Sequence, residues 1–414
     1  MMRLQRSKGS QDLSPVEMKR FRLIEGVFRD CCLRCGYQEV KTPTIEYLHL
    51  FTSTGMLTPG RLRRVYSFLD WDGWSGERVV LRPDGTIPIA RLYIDTMAEK
   101  QQAKLCYVTN IFVFEETGEE SRERWQCGAE LIGVGSTVAD AEMIILAMDI
   151  LQGLGLDGVE IKLSHAELIR AILAKFGLDA EEQVRVFDQI LDGNLEVLSG
   201  AGAENPELGR ILASLLDLKG KSAGFLKNIK ALLNNGLPEL ESVLDDFIAT
   251  VDLLQALGYK YQIDITVGRG FEYYTGIIFH LFASGQTIGA GGRYDGLIPL
   301  MGGGDVPASG FALYIDQLMR LAKIKDKAKP SQQTTLINVG SDTTLLKEAF
   351  NLAGRLHEIG YPAELNLGGR QTAKPGWTID VQGKKFLLTE RTNKQKFEVQ
   401  TAEEVIKLLR DKGE

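Results

Sequence analysis

VGRGFEYYTGIIFHLF, Val267 to Phe282, sets an arginine, an acid and two adjacent tyrosines into one strand-like segment. Just upstream, Tyr259, Tyr261, Ile263, Ile265 and Val267 alternate with Lys260, Gln262, Asp264 and Thr266, the period-two pattern of a half-buried strand. Arg269 therefore stands at a strand end. Gly268 and Gly270 bracket it, and glycines let a ligand approach the backbone closely. Two readings follow: a recognition site, or a β-hairpin whose aromatic side chains pack in the core. Taken alone, the segment favours the hairpin.

Working outward, the chain has 414 residues, 44% hydrophobic and 25% charged, enough for a substantial core and for two or three domains. The amino-terminal MMRLQRSKGSQDLSP has no apolar signal core, and no stretch approaches the roughly 20 apolar residues that span a bilayer. A cytoplasmic protein with no membrane association is expected. Of the five cysteines, Cys31, Cys32 and Cys35 share a helical segment with no second pair to complete a zinc site, so buried thiols are expected and no metal. A formal net charge of −7 speaks against a dedicated nucleic-acid binder. The basic run Arg61 to Arg64 reads as a solvated loop.

Residues 15–37 suit a helix, with Pro15 early, Phe21, Ile24, Val27 and Phe28 on one face, and Gly36 at the end. YQEVKTPTIEY reads as a strand interrupted at Pro43. Two strand pairs follow, in VYSFLDWDGWSGERVVLRPDGT and in KLCYVTNIFVFEE with RWQCGAELIG, with loops too short for a parallel crossover. Residues 139–151 have helical spacing closed by Gly153, and 165–257 read as an almost wholly helical insertion. Strands resume at 259, pass through GQTIGAGGRYDGL, and end in the helical pattern GFALYIDQLMRLAKI. KDKAKPSQQ marks a linker, about 326–334, between a core of residues 1–325 and a small α/β module over 335–414.

Several of these segments together resemble the catalytic core of class II aminoacyl-tRNA synthetases, specifically histidyl-tRNA synthetase. GYQEVKTPTIEYLHLF is similar to the first class II motif, with Pro43 as its proline. LRPDGTIPIAR is similar to the amino-acid-binding LRPEGT segment, RGFEYYTG to RGLDYYTG, and AGGRYDGL matches a second histidine signature. The resemblance runs from about residue 8 to 320. It implies an α+β fold: a class II core with an antiparallel sheet flanked by helices, the helical insertion, and the small C-terminal module. It also turns the opening segment into part of a histidine pocket. Free histidine presents an ammonium, a carboxylate and two ring nitrogens that need partners. By the family's pattern Glu130 would accept from the ring and Tyr274 would bind the other ring nitrogen. Asp84, Thr86 and Gln126 would hold the ammonium, and Arg269 the carboxylate through bidentate bonds. Tyr273 and Tyr294 complete the set, with Gly291 and Gly292 either as a close pocket wall or as the mark of a bulge. Asp84 stands where the family has glutamate.

The nucleotide motifs depart from the family. Val113 occupies the place of an arginine that holds the α-phosphate, and the following ETGEESRER carries Glu115, Glu116, Glu119, Glu120 and Glu123 in or beside it, where like charges would repel ATP. Tyr314 replaces a glycine that leaves room for adenine, and Gln317 replaces an arginine that reaches the γ-phosphate. Adenylyl transfer depends on such preorganised charge. The tail resembles only a shortened anticodon-binding domain, with NLGGRQTAKPGW passing directly to TIDVQGKKFLLTE.

A kept histidine pocket beside a lost ATP site resembles the regulatory subunits of ATP phosphoribosyltransferase. That resemblance implies no catalytic residue, no cofactor, and no tRNA. It implies histidine as effector, a short-form catalytic subunit as partner, and a homodimer within a hetero-oligomer. The alternatives are a diverged but active synthetase, in which Arg122, Arg124 and Arg269 replace the ATP contacts, and an inert assembly scaffold.

Overall fold

The computed structural model describes residues 6–54, 56–57, 61–71, 76–114, 121–174, 178–179, 182–183, 185–186, 219–233, 240–264, 273–323, 334–339, 342–367, 375–383 and 385–413. The chain divides into two compact units, Met1–Ile324 and Lys325–Glu414. In chain order the described strands of the first are β1 (Gln38–Glu39), β2 (Ile45–Tyr47), β3 (Ser67–Trp71), β4 (Gly76–Leu81), β5 (Ala103–Phe112), β6 (Glu123–Ile132), β7 (Glu160–His165), β8 (Lys219–Gly220), β9 (Tyr261–Asp264), β10 (Ile277–Ala283), β11 (Gln286–Arg293) and β12 (Ala308–Tyr314).

Nine of these form one sheet in the order β1-β5-β6-β12-β11-β10-β7-β9-β8. Its centre is antiparallel, but β1 pairs with β5 and β7 with β9 in parallel. The sheet is therefore mixed, a correction to the antiparallel expectation. The reason is local to the insertion. The chain between β7 and β9 carries the helices Ala166–Ala174, Ala223–Leu233 and Glu241–Ala256, long enough for the crossover that parallel pairing requires. That same stretch returns β8 to the sheet edge, antiparallel to β9, so it is not wholly helical.

YQEVKTPTIEY does not make one broken strand. Its first part gives β1 in the large sheet, and its second gives β2 in a separate three-stranded sheet ordered β2-β4-β3. The turn between them is held by Arg82. Its guanidinium donates to the carbonyls of Thr42 (2.9 Å) and Pro43 (2.9 Å) and to both oxygens of Asn110 (2.7 Å each). The run Arg61–Arg64 is a single turn of 3-10 helix.

The helix Pro15–Arg34 starts as its sequence dictates. Ser14 and Glu17 form a reciprocal capping box with Pro15 at the first helical position, which satisfies otherwise orphaned amides. It ends before the expected residue 37 because Gly36 turns left-handed at φ +82°. Phe21, Ile24, Phe28 and Cys32 are buried along one face. With the helix Thr137–Gly153 they cover one side of the sheet, where Cys127, Ala129 and Leu131 of β6 also point. Alternation then sends Gln126, Gly128 and Glu130 to the opposite side, toward the helix Thr86–Thr96 and Tyr107.

The second unit holds β13 (Thr335–Asn338), β14 (Ala363–Asn366), β15 (Trp377–Val381), β16 (Phe386–Glu390) and β17 (Lys396–Val399), in the sheet order β14-β13-β15-β16-β17. The helices Thr343–Glu358 and Ala402–Gly413 close its core around Ile337, Leu352, Leu356, Ile379, Leu388 and Leu409.

Candidate functional site

The site is built around one buried carboxylate. Glu130 sits in the body of β6, opposite Leu105 of β5 and Gly310 of β12, with 1% of its surface exposed. Three hydroxyls converge on it. Thr86 donates to Oε1 at 2.9 Å, Tyr107 donates to Oε1 at 3.1 Å, and Tyr294 donates to Oε2 through a short bond. Each donor is fixed by its element. Thr86 is the first residue of its helix, Tyr107 lies in β5, and the Tyr294 amide donates to the Ala308 carbonyl at 2.7 Å. Glycines make the room. A β-carbon at Gly310 would lie 1.6 Å from Glu130 Oε2, and one at Gly128 2.5 Å from the Tyr107 ring.

Burial pushes the Glu130 carboxyl up to about 8, against the pull of its three hydroxyl donors and with a further push from Asp84. Asp84 is itself raised to about 6 by burial, although the amides of Ile87, Thr86 and Gly85 favour its charge. Its Oδ1 accepts from Ile87 N at 2.8 Å, so this carboxylate serves the amino terminus of its own helix. Gln126 lies on the same face of β6 and close to Gly85, where a β-carbon would meet its Nε2 at 2.4 Å.

Aromatic rings enclose the carboxylate. Tyr273 and Tyr274 have ring centroids 4.8 Å apart and share a hydrogen bond, and Tyr273 meets Tyr294 edge-on at 5.9 Å. Burial raises all three phenols. Gly291 and Gly292 do not mark a bulge, and only Gly292 faces the tyrosines; Gly291 faces Phe279 and Phe311 on the opposite side of the sheet. The β11 ladder is regular through both, and its shift falls between Leu281 and Phe282 on the partner strand. A β-carbon at Gly292 would lie 2.9 Å from the Tyr274 ring.

Of the residues singled out in the sequence, Thr86, Glu130 and Tyr294 touch directly, Asp84 and Gln126 border them, and Tyr273 and Tyr274 stand beside Tyr294. Arg269 lies outside the described residues, as do Glu115, Glu116, Glu119 and Glu120. Tyr107 and Gly310 were missed. Tyr107 sits in a run of apolar strand residues, and its one signal was a tyrosine at an inward position needing a polar partner. Tyr107→Phe is expected to leave Glu130 a donor short, raise its titration further, and weaken binding of a cationic ligand about 5- to 10-fold. Calorimetric titration across pH 6 to 9 checks this, and unchanged affinity at every pH would contradict it.

The nucleotide side differs in kind. Val113 lies just beyond β5, its amide bonded to the Arg122 carbonyl at 2.9 Å, while the Arg122 guanidinium stacks over Phe114 at 4.8 Å. Tyr314 ends β12 opposite Gln126. With Arg124, Gln126 and Gln317 it lines a cavity of about 390 Å³.

The fold is that of a class II synthetase-like core. The model of the family described as histidyl-tRNA synthetase matches residues 9–318, and the chain belongs to that family. An ATP phosphoribosyltransferase regulatory subunit from Dehalococcoides mccartyi strain BAV1 is 53% identical over 98% of both chains. A histidine–tRNA ligase from Methanocaldococcus jannaschii is 33% identical over 89% of this chain and 88% of its own. Among solved structures, an ATP phosphoribosyltransferase regulatory subunit/histidyl-tRNA synthetase from Bacillus halodurans superposes with a TM-score of 0.75 at 24% identity, covering 90% of this chain and 95% of that one. Within the family, then, the chain belongs with the ATP phosphoribosyltransferase regulatory subunits. Among the described residues no helix is long and apolar enough to cross a membrane.

Proposed function

We propose that this regulatory subunit of ATP phosphoribosyltransferase, a component of histidine biosynthesis, senses histidine in the pocket around Glu130 and passes that signal to a short-form catalytic subunit. The observation that carries the reading is the Glu130 carboxylate. It is buried and held by three hydroxyls, and it offers a ring N–H an acceptor in a buried aromatic enclosure where charge-assisted hydrogen bonds are strong. Tyr274 would meet the second ring nitrogen, Gln126 and Asp84 the ammonium, and Arg269 the carboxylate. Control requires histidine to favour one arrangement of the complex over another, by a coupling of about 1 to 3 kcal/mol. The chain would act as a homodimer within the hetero-oligomer, in the cytoplasm, with no tRNA partner.

A diverged synthetase is the rival, and Arg124 at the cavity is the feature in its favour. Against it, Arg122 is stacked on Phe114, and Val113 supplies no charge. Titration of the whole chain with histidine and with ATP, each followed by a histidyl-adenylate assay, separates the two. Histidine binding without adenylate, together with histidine-dependent inhibition of an added short-form catalytic subunit, is the expected result. Adenylate formation would establish the synthetase, and absence of histidine binding by folded protein would leave a scaffold. The double variant Tyr314→Gly with Gln317→Arg is expected to form no adenylate either, because Val113 remains. Recovery of adenylate by that variant would mean the motif containing Val113 matters less than its chemistry implies.

A further inference from the structure

Two of the three hydroxyls on Glu130 come from inside regular elements, whereas Tyr294 lies one residue beyond the end of β11. Its neighbours on both sides are held instead. Arg293, before it, is 9% exposed, and its guanidinium reaches the side of the sheet away from Glu130, as alternation along the chain requires. There Nη2 donates to the Ser136 carbonyl at 2.7 Å and pairs with Asp140 Oδ1 at 2.9 Å, while Nε donates to Asp140 Oδ2 at 3.3 Å. Ser136 caps the helix Thr137–Gly153, and Asp140 lies in its first turn. Arg293 Nη1 also pairs with Asp295 Oδ1 at 3.5 Å, so one guanidinium ties the residue after Tyr294 to that helix. Asp295 in turn accepts from Ala308 N at 2.9 Å and donates its amide to Thr275 Oγ1 at 2.8 Å, and the Arg293 carbonyl accepts from Thr275 N at 2.8 Å. Gly276 leaves room for the arginine: a β-carbon there would lie 2.7 Å from Arg293 Cδ.

Burial raises Asp140 to about 6, against the pull of Arg293 and with pushes from Asp295 and Asp246, so the pair is charged at pH 8. His165, lowered to about 3 by burial and then by Arg293 and Arg170, adds no charge beside it. Desolvation offsets much of the attraction in such a buried pair, which makes it a poor source of stability. From its geometry we infer that Arg293 is a positioning residue: by clamping Asp295 to the Thr137–Gly153 helix it holds the Tyr294 hydroxyl on Glu130. The inference concerns the empty site, and only its effect on histidine affinity rests on the histidine reading.

The test uses the full chain with Arg293→Lys, Tyr294→Phe and the two combined. Melting temperatures are measured from pH 6 to pH 10 for each and for its Glu130→Gln counterpart, so that the difference isolates Glu130. Thr86, Tyr107 and Asp84, the other groups acting on Glu130, stay in place throughout. The Tyr294 bond lowers the titration of Glu130, so in Tyr294→Phe the pH-dependent loss of stability should run to higher pH than in the parent. Arg293→Lys keeps the charge but not the fork, and is expected to show at least roughly half of that shift, with the combined variant shifting no further than Tyr294→Phe alone. Histidine affinity at pH 8 should follow the same pattern, about 5- to 10-fold weaker in each single variant and no weaker in the combination. If Arg293→Lys does not fold, Arg293→Met with Asp140→Leu removes both charges and leaves no unpaired ion, and the same upward shift is expected of it. Absence of histidine binding by the parent would count against the histidine reading alone, and the pH profiles still decide. A parental profile in the Arg293 variants, or shifts that add in the combined variant, would overturn the inference and leave Arg293 a purely structural part.

Discussion

Glu130→Ala is expected to weaken histidine binding by about 10- to 100-fold, because a buried ring N–H then loses its charged acceptor at a cost of about 1 to 3 kcal/mol. Glu130→Gln keeps the volume and isolates the charge. In the ligand-free chain burial holds Glu130 at about 8, against an ordinary 4.5. The folded protein therefore keeps a proton that the unfolded chain has released between those two values. Stability from this group is complete below about 4.5, falls as pH rises through the window, and is lost above about 8. The glutamine variant has no such slope. Its melting temperature relative to the parent should rise between pH 5 and pH 9, as seen by differential scanning calorimetry. Binding follows the same proton: the parent's histidine affinity should increase toward pH 8 with proton release, and the glutamine variant's should not. A constant difference in melting temperature across that range would mean that the three hydroxyls keep Glu130 charged in the empty pocket.

Gly310→Ala should do more damage than its single methyl suggests. The added carbon would lie 1.6 Å from Glu130 Oε2 and 2.7 Å from the Ala129 backbone oxygen. Glu130 has nowhere to swing, since both its oxygens are held and its surroundings are packed. Either β12 moves off β6 or the carboxylate leaves its donors. Overpacking of this kind typically costs about 1 to 3 kcal/mol, and a melting temperature lower by about 1.5 to 4.5 °C is expected for a unit of this size, together with loss of histidine binding. Gly304→Ala is the control, because the nearest atom there is Val306 Cγ2 at 3.7 Å. If Gly310→Ala melts and binds like the control, the described packing at Glu130 is wrong.

Elements with strong local signals are legible in the amino-acid sequence itself. The capping box at Ser14, the helical spacing after Ser136 and the alternation of β6 each encode their own geometry within a dozen residues. The parallel pairing of β7 with β9 is not legible, because the two strands meet across more than ninety residues of intervening chain and no local pattern carries that choice. The division of YQEVKTPTIEY between two sheets is hidden for a related reason: Arg82, which holds the turn, lies some forty residues downstream of it. At the site, Thr86, Glu130 and Tyr294 can be chosen through family resemblance. Tyr107 cannot, since its part depends on the register that sets it opposite Gly128, and a strand tyrosine usually reads as packing. Asp84 is recognised by position, but its engagement with the Ile87 amide depends on where the helix begins.

The placement of these groups along the strands bears on how such a protein changes over time. Glu130 and Gly310 face one another inside the ladder, where each shapes the sheet as well as the pocket. Val113, Tyr314 and Gln317 lie at or beyond the ends of β5 and β12, where a side chain can be exchanged without disturbing register. A lineage released from adenylate chemistry can drift at those ends while its fold resists any change a few residues inward. Tolerance to substitution is thus graded along each strand: exchange at the ends costs the sheet little, and exchange within the ladder costs it register and packing together.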